Sequence, residues 1–402
     1  MSGLLPVEDA VARVLADVRP TVPEDVPLGD GFGRILAAPL GARRTQPPSD
    51  VSAMDGYAVR AADAAVVGAR LRVIGAAPAG APFEGSVGPG ETVRIFTGGT
   101  MPEGADSVLL QEDATASDGV VTVGEVVRPG QHVRRRGLDF AEGDVLLGPG
   151  RRLGMREMAI AASMNHWAVP VRRRPVVAIL ATGDELVVPG PNVPPEAIVA
   201  SNTYGIAALA AEAGAQSIDH GIVRDDSAAI AAAVERTLAD CPDVIVTLGG
   251  ASVGEHDLVR GVLTGLGMSL DFWKIAMRPG KPLMFGRFGE TRVLGLPGNP
   301  VSSLVCALLF LRPLLDALNG LPFTDRTEEA ELGAPMGEND RRQDYVRAML
   351  ADRPGSPPIA TPFPKQDSSM LSTLAASGCL IIRPPHAPAA AAGDRSLILR
   401  LP

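Results

Sequence analysis

The sequence predicts a multidomain protein of α/β and β structure, built around a central doubly wound, mostly parallel α/β domain. Strand-like apolar segments alternate with helical segments from Pro175 to about residue 322, which is typical of βαβ units. Short β-rich segments between Gly/Pro turns fill residues 50–139 and predict a small β-rich domain. Residues 325–402 return to short β-like segments with proline-rich turns, so we expect a small C-terminal β-barrel or sandwich.

The N-terminal segment is predicted to be helical. Valine and leucine recur at helical spacing after Pro6, and Pro20 ends the segment. We predict a second short helix around Arg34–Ala38 and a third over Arg156–Met164. The third is expected to pack beside the N-terminal helices, so that the β-rich domain between them is an insertion.

The central domain is predicted element by element. Val176–Leu180 is a continuous apolar strand, as expected where both faces of a sheet are covered. The elements that follow are a helix over 202–213 that stops at Gly214, a strand near 218–223, a helix capped by Asp226 or Ser227, the strand Asp243–Leu248, the strand Val293–Leu296, and a helix from Val301 to about Leu318.

We therefore predict four domains. A helical, elongated N-terminal domain combines residues 1–45 with 140–174, and the inserted β-rich domain is 46–139. The α/β domain spans 175–322, and the C-terminal β domain spans 323–402.

Composition restricts the class of partner. The chain has 402 residues and a net charge of −9, which argues against nonspecific binding to nucleic acid or an anionic membrane. Three scattered cysteines fit a reducing compartment better than a disulfide framework. The apolar stretch Leu304–Leu311 is interrupted by Arg312 and Pro313, well short of the ~20 residues that a membrane span needs. With no signal peptide visible, we expect a cytoplasmic protein.

Polar motifs follow four predicted strands at the ends where a parallel sheet binds ligands. The motifs are TGDEL (Thr182–Leu186), RDD (Arg224–Asp226), GGASVGEHD (Gly249–Asp257) and PGNPVSS (Pro297–Ser303). Because the carboxyl ends of parallel strands lie at one edge of the sheet, these four loops predict one binding site.

The glycine-rich third loop favours an anion. Its glycines let backbone amides approach a ligand closely, Ser252 adds a hydroxyl donor, and a helix N-terminus is expected next. A plain strand-to-helix turn would carry the same residues, so this loop alone leaves both interpretations open.

Asp257, Asp225 and Glu185 are candidate oxygen ligands for Mg²⁺, which is commonly held by one or two carboxylates together with substrate phosphates. A surface or helix-capping role is the alternative for each, and for Asp226 capping is the better interpretation.

The motif MRPGKP places Arg278 and Lys281 three residues apart on a loop stiffened by proline and glycine. Two cations at that spacing suit an oxyanion such as phosphate, and a solvated basic turn is the alternative. Lys274 is a weaker candidate. The histidines show no metal-ligand spacing, and the absence of a GxSxG motif argues against a serine hydrolase.

In this order and spacing, TGDEL, GGASVGEHD, MRPGKP and LPGNPVS resemble motifs of the molybdopterin molybdenumtransferase family, which includes MoeA and the E domain of gephyrin. In the N-terminal half, PPSDVSAMDGYAV (Pro47–Val59), IFTGGTMPEGADSV (Ile95–Val108) and RRRGLDF (Arg134–Phe140) resemble its other signatures. Seven motifs in order are highly specific and span nearly the whole chain, although the match is weak beyond residue 325.

The resemblance implies an enzyme that binds adenylylated molybdopterin, accepts molybdate, releases AMP by hydrolysis, and leaves molybdenum on the dithiolene. It implies Mg²⁺ as cofactor, with Asp225 and Asp257 as metal ligands and Glu185 beside them as a third catalytic residue. The residues implied to bind molybdate are Arg278, Lys281, Ser302, Arg342 and Ser369. Those implied to bind molybdopterin or its nucleotide are Thr182, Asp184, Gly249, Gly250, Ser252, Gly254, Lys274, Pro297, Gly298, Asn299, Pro300, Asp55, Thr97 and Asp139.

The family is dimeric, so the resemblance implies a homodimer in which Asp55, Thr97 and Asp139 approach the site across the interface. The adenylyltransferase that makes the substrate is an additional candidate partner. Arg278 stands where many relatives have lysine, which keeps the charge and changes the donor geometry. The motifs around Arg342 and Ser369 are looser than the others.

Two other functions share part of this pattern. The adenylyltransferase carries a similar glycine-rich loop, but such proteins are about the size of the central domain alone. A scaffold role, like receptor anchoring by the gephyrin E domain, would need an exposed groove for a partner peptide, and no sequence feature marks one. Charged residues in motifs suited to ligand binding therefore favour an active enzyme over a scaffold protein.

Overall fold

The computed structural model describes residues 4–249 and 258–402. Contacts divide the chain into two compact units. The first contains the residues before Asp25 together with Arg172–Pro402, and the second is Asp25–Val171. In sequence, the second unit is therefore an insertion into the first. The finer division into four domains stays a prediction.

The elements follow in chain order. The helices are α1 (Val7–Leu15), α2 (Met155–Ser163), α3 (Ser201–Glu212), α4 (Ser227–Ala239), α5 (Leu258–Gly265), α6 (Pro300–Cys306), α7 (Arg312–Leu318) and α8 (Leu371–Ala375). The strands are β1 (Pro23–Pro27), β2 (Leu40–Gly41), β3 (Val51–Ser52), β4 (Gly56–Val59), β5 (Arg70–Ala77), β6 (Glu91–Ile95), β7 (Ser107–Leu110), β8 (Ala114–Ser117), β9 (Val120–Val123), β10 (Val133–Arg134), β11 (Val145–Leu147), β12 (Ala168–Arg172), β13 (Val176–Thr182), β14 (Leu186–Val187), β15 (Ile198–Val199), β16 (Gln216–Val223), β17 (Val244–Leu248), β18 (Ser269–Trp273), β19 (Met277–Arg278), β20 (Met284–Phe288), β21 (Thr291–Leu296), β22 (Thr327–Leu332), β23 (Gln343–Arg353), β24 (Ser356–Pro362), β25 (Cys379–Arg383) and β26 (Arg395–Arg400).

The first unit is built on a mixed sheet whose described strands lie in the order β16-β13-β17-β21-β20-β18. The first four strands run parallel, and β20 and β18 extend the sheet in antiparallel pairs. Along β13, Val177 and Ile179 face one apolar core, whereas Ala178 and Leu180 face another. This alternation means that both faces of the sheet are covered, so the prediction of a doubly wound, mostly parallel α/β domain is confirmed.

The helices that cover the sheet begin and end close to where the sequence predicts. On one face α3 buries Ile206 and Leu209, and on the other α4 buries Ile230 and Val234. The carboxylate of Asp226 caps α4 by accepting the N–H of Ala229 at 2.8 Å. The capping interpretation of Asp226 is therefore confirmed.

The first helix belongs to the core of the first unit. Val7, Ala10 and Val14 form its buried face and pack towards α7. The predicted helix Arg156–Met164 is present as α2, but it packs in a separate apolar core of the second unit. The two helices belong to different units, so the expectation that α2 packs beside the N-terminal helices stays a prediction.

The segments α6, Ala307–Leu311 in π-helical form, and α7 make one continuous helix, Pro300–Leu318. The helix continues through Arg312 and Pro313, because the π-helical segment before them has already changed the backbone hydrogen-bond pattern at the position of the proline. By length and composition this helix could span a membrane, but 61% of its apolar window is buried in the structure. The buried core helix of a globular protein can have the same length and composition, so these two properties are only weak evidence for a membrane span.

The C-terminal strands form a closed barrel. In the described chain they pair in the order β23-β24-β22-β26-β25, and β25 pairs back with β23. The interior is apolar and includes Ala330, Val346 and Ile381. Of the two predicted forms, barrel or sandwich, the structure has the barrel. The short strand β19 joins the barrel through β23, with Arg278 opposite Asp344.

The second unit contains the predicted β-rich region. Its main described sheet has the order β7-β4-β6-β5-β9-β8, with apolar cores that include Val121 and Val93. Three two-stranded sheets, β1-β12, β2-β11 and β3-β10, accompany it.

The predicted short helix at Arg34–Ala38 is wrong. The segment is extended, and Ile35 and Leu36 form isolated β-bridges with Arg152 and Val171. Both side chains are buried in this extended segment. A proline follows Ala38, and the residue before proline disfavours helical backbone.

Candidate functional site

The carboxyl ends of the parallel strands border a cleft of about 830 Å³ in the first unit. All four predicted loops contribute to it. The predicted site residues that line this cleft are Thr182, Glu185, Asp225, Gly249, Pro297, Gly298, Asn299, Pro300 and Ser369.

At the floor of the cleft, the end of β17 leaves no room for a side chain. Gly249 has a φ of +94°, and a Cβ there would lie 2.6 Å from the carbonyl oxygen of Thr182. Glycine satisfies both conditions, because it tolerates positive φ and lacks the clashing atom. The Thr182 hydroxyl is buried and has no hydrogen-bond partner among the described residues. The floor of the cleft therefore offers a ligand the backbone of Gly249 and the Thr182 hydroxyl, which has no hydrogen-bond partner among the described residues.

Carboxylates gather on one side of the cleft. An Asp184 oxygen accepts the N–H of Asp225 at 3.4 Å and lies 3.5 Å from Nε of Arg224. Partial burial, and then the charges of Asp184 and Glu185, raise the pKa of Asp225. A bound cation would relieve this repulsion. Within residues 4–249 and 258–402, no set of three or more His, Cys, Asp or Glu residues is arranged as a metal site.

The loop before α6 joins three parts of the first unit. The side-chain amide of Asn202 donates to the carbonyl of Gly298 at 2.8 Å, and that of Asn299 donates to the Ser368 hydroxyl at 3.0 Å. The N–H of Val301 donates to the Ser368 carbonyl at 3.1 Å. These bonds hold a segment of the C-terminal region against the start of α6, which explains why that region supplies part of the cleft wall.

Ser369 is positioned by its own turn. Asp367 accepts both the N–H of Ser369, at 2.8 Å, and its hydroxyl, at 2.6 Å. Ser302 lies in the first turn of α6 and is only 5% exposed. Ser369 thus lines the cleft, whereas Ser302 is mostly enclosed by the helix and its neighbours.

The predicted cations form a connected group with two carboxylates. Arg278 makes a two-pronged ion pair with Asp344, from Nε at 2.5 Å and from Nη2. Asp340 accepts from Nη2 of Arg342 at 2.9 Å and lies 3.7 Å from Nη1 of Arg278. The hydrogen bond with Asp344 raises the pKa of Arg278, and that with Arg342 lowers the pKa of Asp340 to about 2. Arg278 and Asp340 are therefore charged at neutral pH.

The two predicted lysines have different surroundings. Lys281 is half-buried and precedes Pro282, which lines the cleft. The ammonium of Lys274 lies 3.6 Å from the centre of the Trp273 ring, and the guanidinium of Arg260 lies 3.8 Å from the same ring. Lys274 thus stacks on an aromatic side chain and does not line the described cleft.

Three predicted residues belong to the second unit. Asp55 accepts the N–H and the hydroxyl of Thr97 at 2.7 and 2.8 Å, and these bonds lower the pKa of Asp55. The N–H of Asp139 donates to the carbonyl of Gln46 at 3.0 Å. The structure brings Asp55 and Thr97 together, while their role in ligand binding stays a prediction.

Four predicted residues, Gly250, Ser252, Gly254 and Asp257, lie outside the described residues.

The sequence missed several residues that line the cleft. The polar ones are Ser201, Asn202 and Thr203, and the apolar ones include Leu186, Ile198 and Val199. The polar triplet at the start of α3 was a usable signal, because polar residues at a helix start after a strand point to the ligand edge of the sheet. The apolar residues lie on β14 and β15, which pair as short parallel strands that no periodicity marks.

Family models match almost the whole chain. The MoeA N-terminal region (domain I and II) matches residues 5–165, a probable molybdopterin binding domain matches 178–317, and the MoeA C-terminal region (domain IV) matches 329–400. These three descriptions follow the order of the structural elements along the chain.

Individual proteins give the same result. A Nostoc sp. protein named molybdopterin molybdenumtransferase is 35% identical over 94% of this chain and 89% of its own length. A Bacillus subtilis protein of the same name is 34% identical over 94% and 90%. The crystal structure of a molybdopterin biosynthesis MoeA protein from Pyrococcus horikosii is 29% identical, covers 99% of both chains and has a TM-score of 0.85. The chain therefore belongs to the molybdopterin molybdenumtransferase family of enzymes, which act in molybdenum cofactor biosynthesis.

Proposed function

We propose that this enzyme inserts molybdate into adenylylated molybdopterin and releases AMP. The observation that carries the proposal is the cleft at the carboxyl ends of the parallel strands, where carboxylates, exposed backbone and a helix start line one space. A phosphorylated substrate suits these features, because backbone amides and a helix N-terminus bind phosphate oxygens.

Each wall of the cleft suits a different part of such a substrate. The phosphates would lie over Gly249 and the loop Pro297–Pro300, where no side chain blocks the backbone of Gly249. The apolar side chains of Leu186 and Ile198 offer a surface for a flat ring system. The buried Thr182 hydroxyl would gain a hydrogen-bond partner from the substrate.

The carboxylate side of the cleft fits Mg²⁺. Asp225 has a raised pKa because of partial burial and its neighbours Asp184 and Glu185, so a divalent cation would compensate a charge that the described residues leave unbalanced. We infer that Asp225 and Asp257 would hold the ion, with Glu185 nearby. When bound, it would neutralise charge on the bridging phosphates as the bond to AMP breaks.

We propose that molybdate binds at the group of Arg278, Lys281 and Arg342, with Ser302 and Ser369 as hydroxyl donors. Two arginines that share a carboxylate provide the donor arrangement that a tetrahedral oxyanion needs.

We also infer a homodimer, on the strength of the family resemblance, and the molybdopterin adenylyltransferase as the partner that supplies the substrate. A cytoplasmic location is supported by the cysteines, since Cys241, Cys306 and Cys379 are all free.

The test is to incubate the purified protein with adenylylated molybdopterin, Mg²⁺ and molybdate, and to measure AMP. We expect AMP release that depends on the protein, on the divalent ion and on molybdate. AMP that appears no faster than in the protein-free control would refute the proposal.

A variant sharpens this test. Asp257→Asn should abolish AMP release while leaving the melting temperature of the protein near that of the wild type. Asp226→Asn is the matched control, because asparagine caps a helix as well as aspartate does and Asp226 caps α4. Equal AMP release by Asp257→Asn and the control would remove Asp257 from the metal site.

A further inference from the structure

The carboxylate of Asp340 lies between two arginines. Its Oδ2 accepts from Nη2 of Arg342 at 2.9 Å and lies 3.7 Å from Nη1 of Arg278, while its Oδ1 accepts the backbone N–H of Arg342 at 2.8 Å. Both arginines belong to the proposed molybdate site. A protein anion therefore already occupies a position between the two guanidinium groups.

Asp344 has a different relation to the same group. It takes two donors of Arg278, Nε and Nη2, and its side chain is only 10% exposed. The pairing of β19 with β23 places Arg278 directly opposite Asp344, so the backbone itself fixes this ion pair. Asp344 holds the guanidinium in place and leaves Nη1 directed towards Asp340.

Asp340 is the carboxylate that an incoming anion can displace. Its side chain is 44% exposed, and it precedes β23 in a segment outside the described helices and strands. Breaking a half-exposed ion pair costs little, whereas Asp344 is nearly buried and would lose its ion pair with Arg278.

We propose that Asp340 is an internal counter-anion that competes with the oxyanion substrate for Arg278 and Arg342, and so sets the affinity of the site, while Asp344 is a positioning residue for Arg278. The inference rests on the proposed molybdate site. Asp340 and Asp344 balance the charges of the two arginines with which they pair. The competing anion is permanent at neutral pH, because the bonds from Arg342 hold the pKa of Asp340 at about 2.

The test is calorimetric titration of sodium molybdate into the full-length protein without substrate. Asp340→Asn should bind molybdate about two- to fivefold more tightly than the wild type, a range set by the strength of half-exposed ion pairs. The gain should grow as the salt concentration falls, because exposed charges are screened by salt. Glu329→Gln is the matched control: it removes one charge from the same barrel, where Glu329 pairs with Arg395, and should leave the affinity unchanged.

Variants of Asp344 distinguish a role in positioning Arg278 from an effect of negative charge alone. Asp344→Asn should weaken molybdate binding even though it also removes a negative charge, and Asp344→Glu should restore most of it. If Asp344→Asn bound as tightly as Asp340→Asn, charge alone would decide and the positioning role would be refuted.

Unchanged or weaker binding by Asp340→Asn would overturn the inference, and so would an absence of molybdate binding by both it and the wild type. AMP release from adenylylated molybdopterin is measured separately, so failure of this inference is distinguishable from failure of the proposed reaction.

Discussion

Charged residues of the first unit differ in how their charge is balanced. Asp225 is open to the cleft, yet partial burial and the charges of Asp184 and Glu185 raise its pKa, and no cation pairs with it in the described part of the chain. Arg278 and Arg342 are instead matched by protein carboxylates. A cation would therefore stabilise the carboxylate side of the proposed site. On the arginine side, an oxyanion that binds must displace a protein carboxylate.

The substitution Asp225→Asn tests how the ionised carboxylate at the cleft affects stability and activity. A carboxyl whose pKa is raised by folding opposes the folded state when ionised, and this penalty disappears as the pH falls through the raised pKa towards the ordinary value of 3.8. At pH 7 without divalent ions, the variant should therefore melt about 1–2 °C higher than the wild type, since the group is largely exposed. The difference should vanish near pH 4, and AMP release should be lost.

Asp226→Asn again serves as the control, with a melting temperature equal to that of the wild type at both pH values. Adding Mg²⁺ should raise the melting temperature of the wild type more than that of Asp225→Asn. A variant that is less stable at pH 7 would contradict this account of Asp225.

At the scale of elements, the ends of the strands decide what the cleft exposes. Strand β17 ends at a position where neither the backbone angle nor the space accepts a side chain. The loop after β21 then begins a helix whose start is held by bonds to Asn202 and Ser368. The shape of the cleft is thus determined by the ends of the strands and by the hydrogen bonds that join the loops around it.

Gly249→Ala tests this shape. A residue with a Cβ at positive φ costs about 1–3 kcal/mol, and the clash with the Thr182 carbonyl adds to it. The melting temperature should fall by roughly 3–10 °C, and substrate binding should weaken because the floor of the cleft shifts.

Gly298→Ala is the control for stability. A Cβ there would have Gly249 Cα as its nearest contact, at an ordinary 3.8 Å, so its melting temperature should stay near that of the wild type. Equal losses of stability in both variants would mean that the space at Gly249 is not the deciding factor.

Much of the central domain was predictable, because local signals determine it. Buried strands such as Val176–Leu180 read as continuous apolar runs, and the Asp226 cap is local to its helix. The pairing of Arg278 with Asp344 was not predictable, because it joins residues 66 positions apart through a strand register. The helix predicted at Arg34–Ala38 is wrong for a related reason. Its β-bridges to Arg152 and Val171, which are distant in sequence, outweigh a weak helical pattern.

At the scale of the whole molecule, each unit has apolar cores of its own. The first unit buries residues such as Ile179 and Leu294 around its sheet, and the second buries residues such as Leu153 and Val121 in separate clusters. Each unit can therefore unfold as a cooperative body.

Scanning calorimetry of the full chain should show two thermal transitions. Ile179→Ala should lower only the transition of the first unit and Leu153→Ala only that of the second, because each removes a fully buried side chain at a cost of about 2–5 kcal/mol. Molybdate should raise only the transition that Ile179→Ala lowers. One transition, shifted by both variants, would contradict this division.

The placement of α1 has a consequence for synthesis on the ribosome. This helix leaves the exit tunnel well before α7, which begins at Arg312, yet its buried face packs towards α7. At translation rates of about 5–20 residues per second, the apolar side of α1 waits roughly 15–60 s for its partner. During that interval Val7, Ala10 and Val14 form an uncovered stripe on the nascent chain, which a chaperone or a wrong neighbour can bind. The helix α1 thus completes its packing only after α7 has been synthesised.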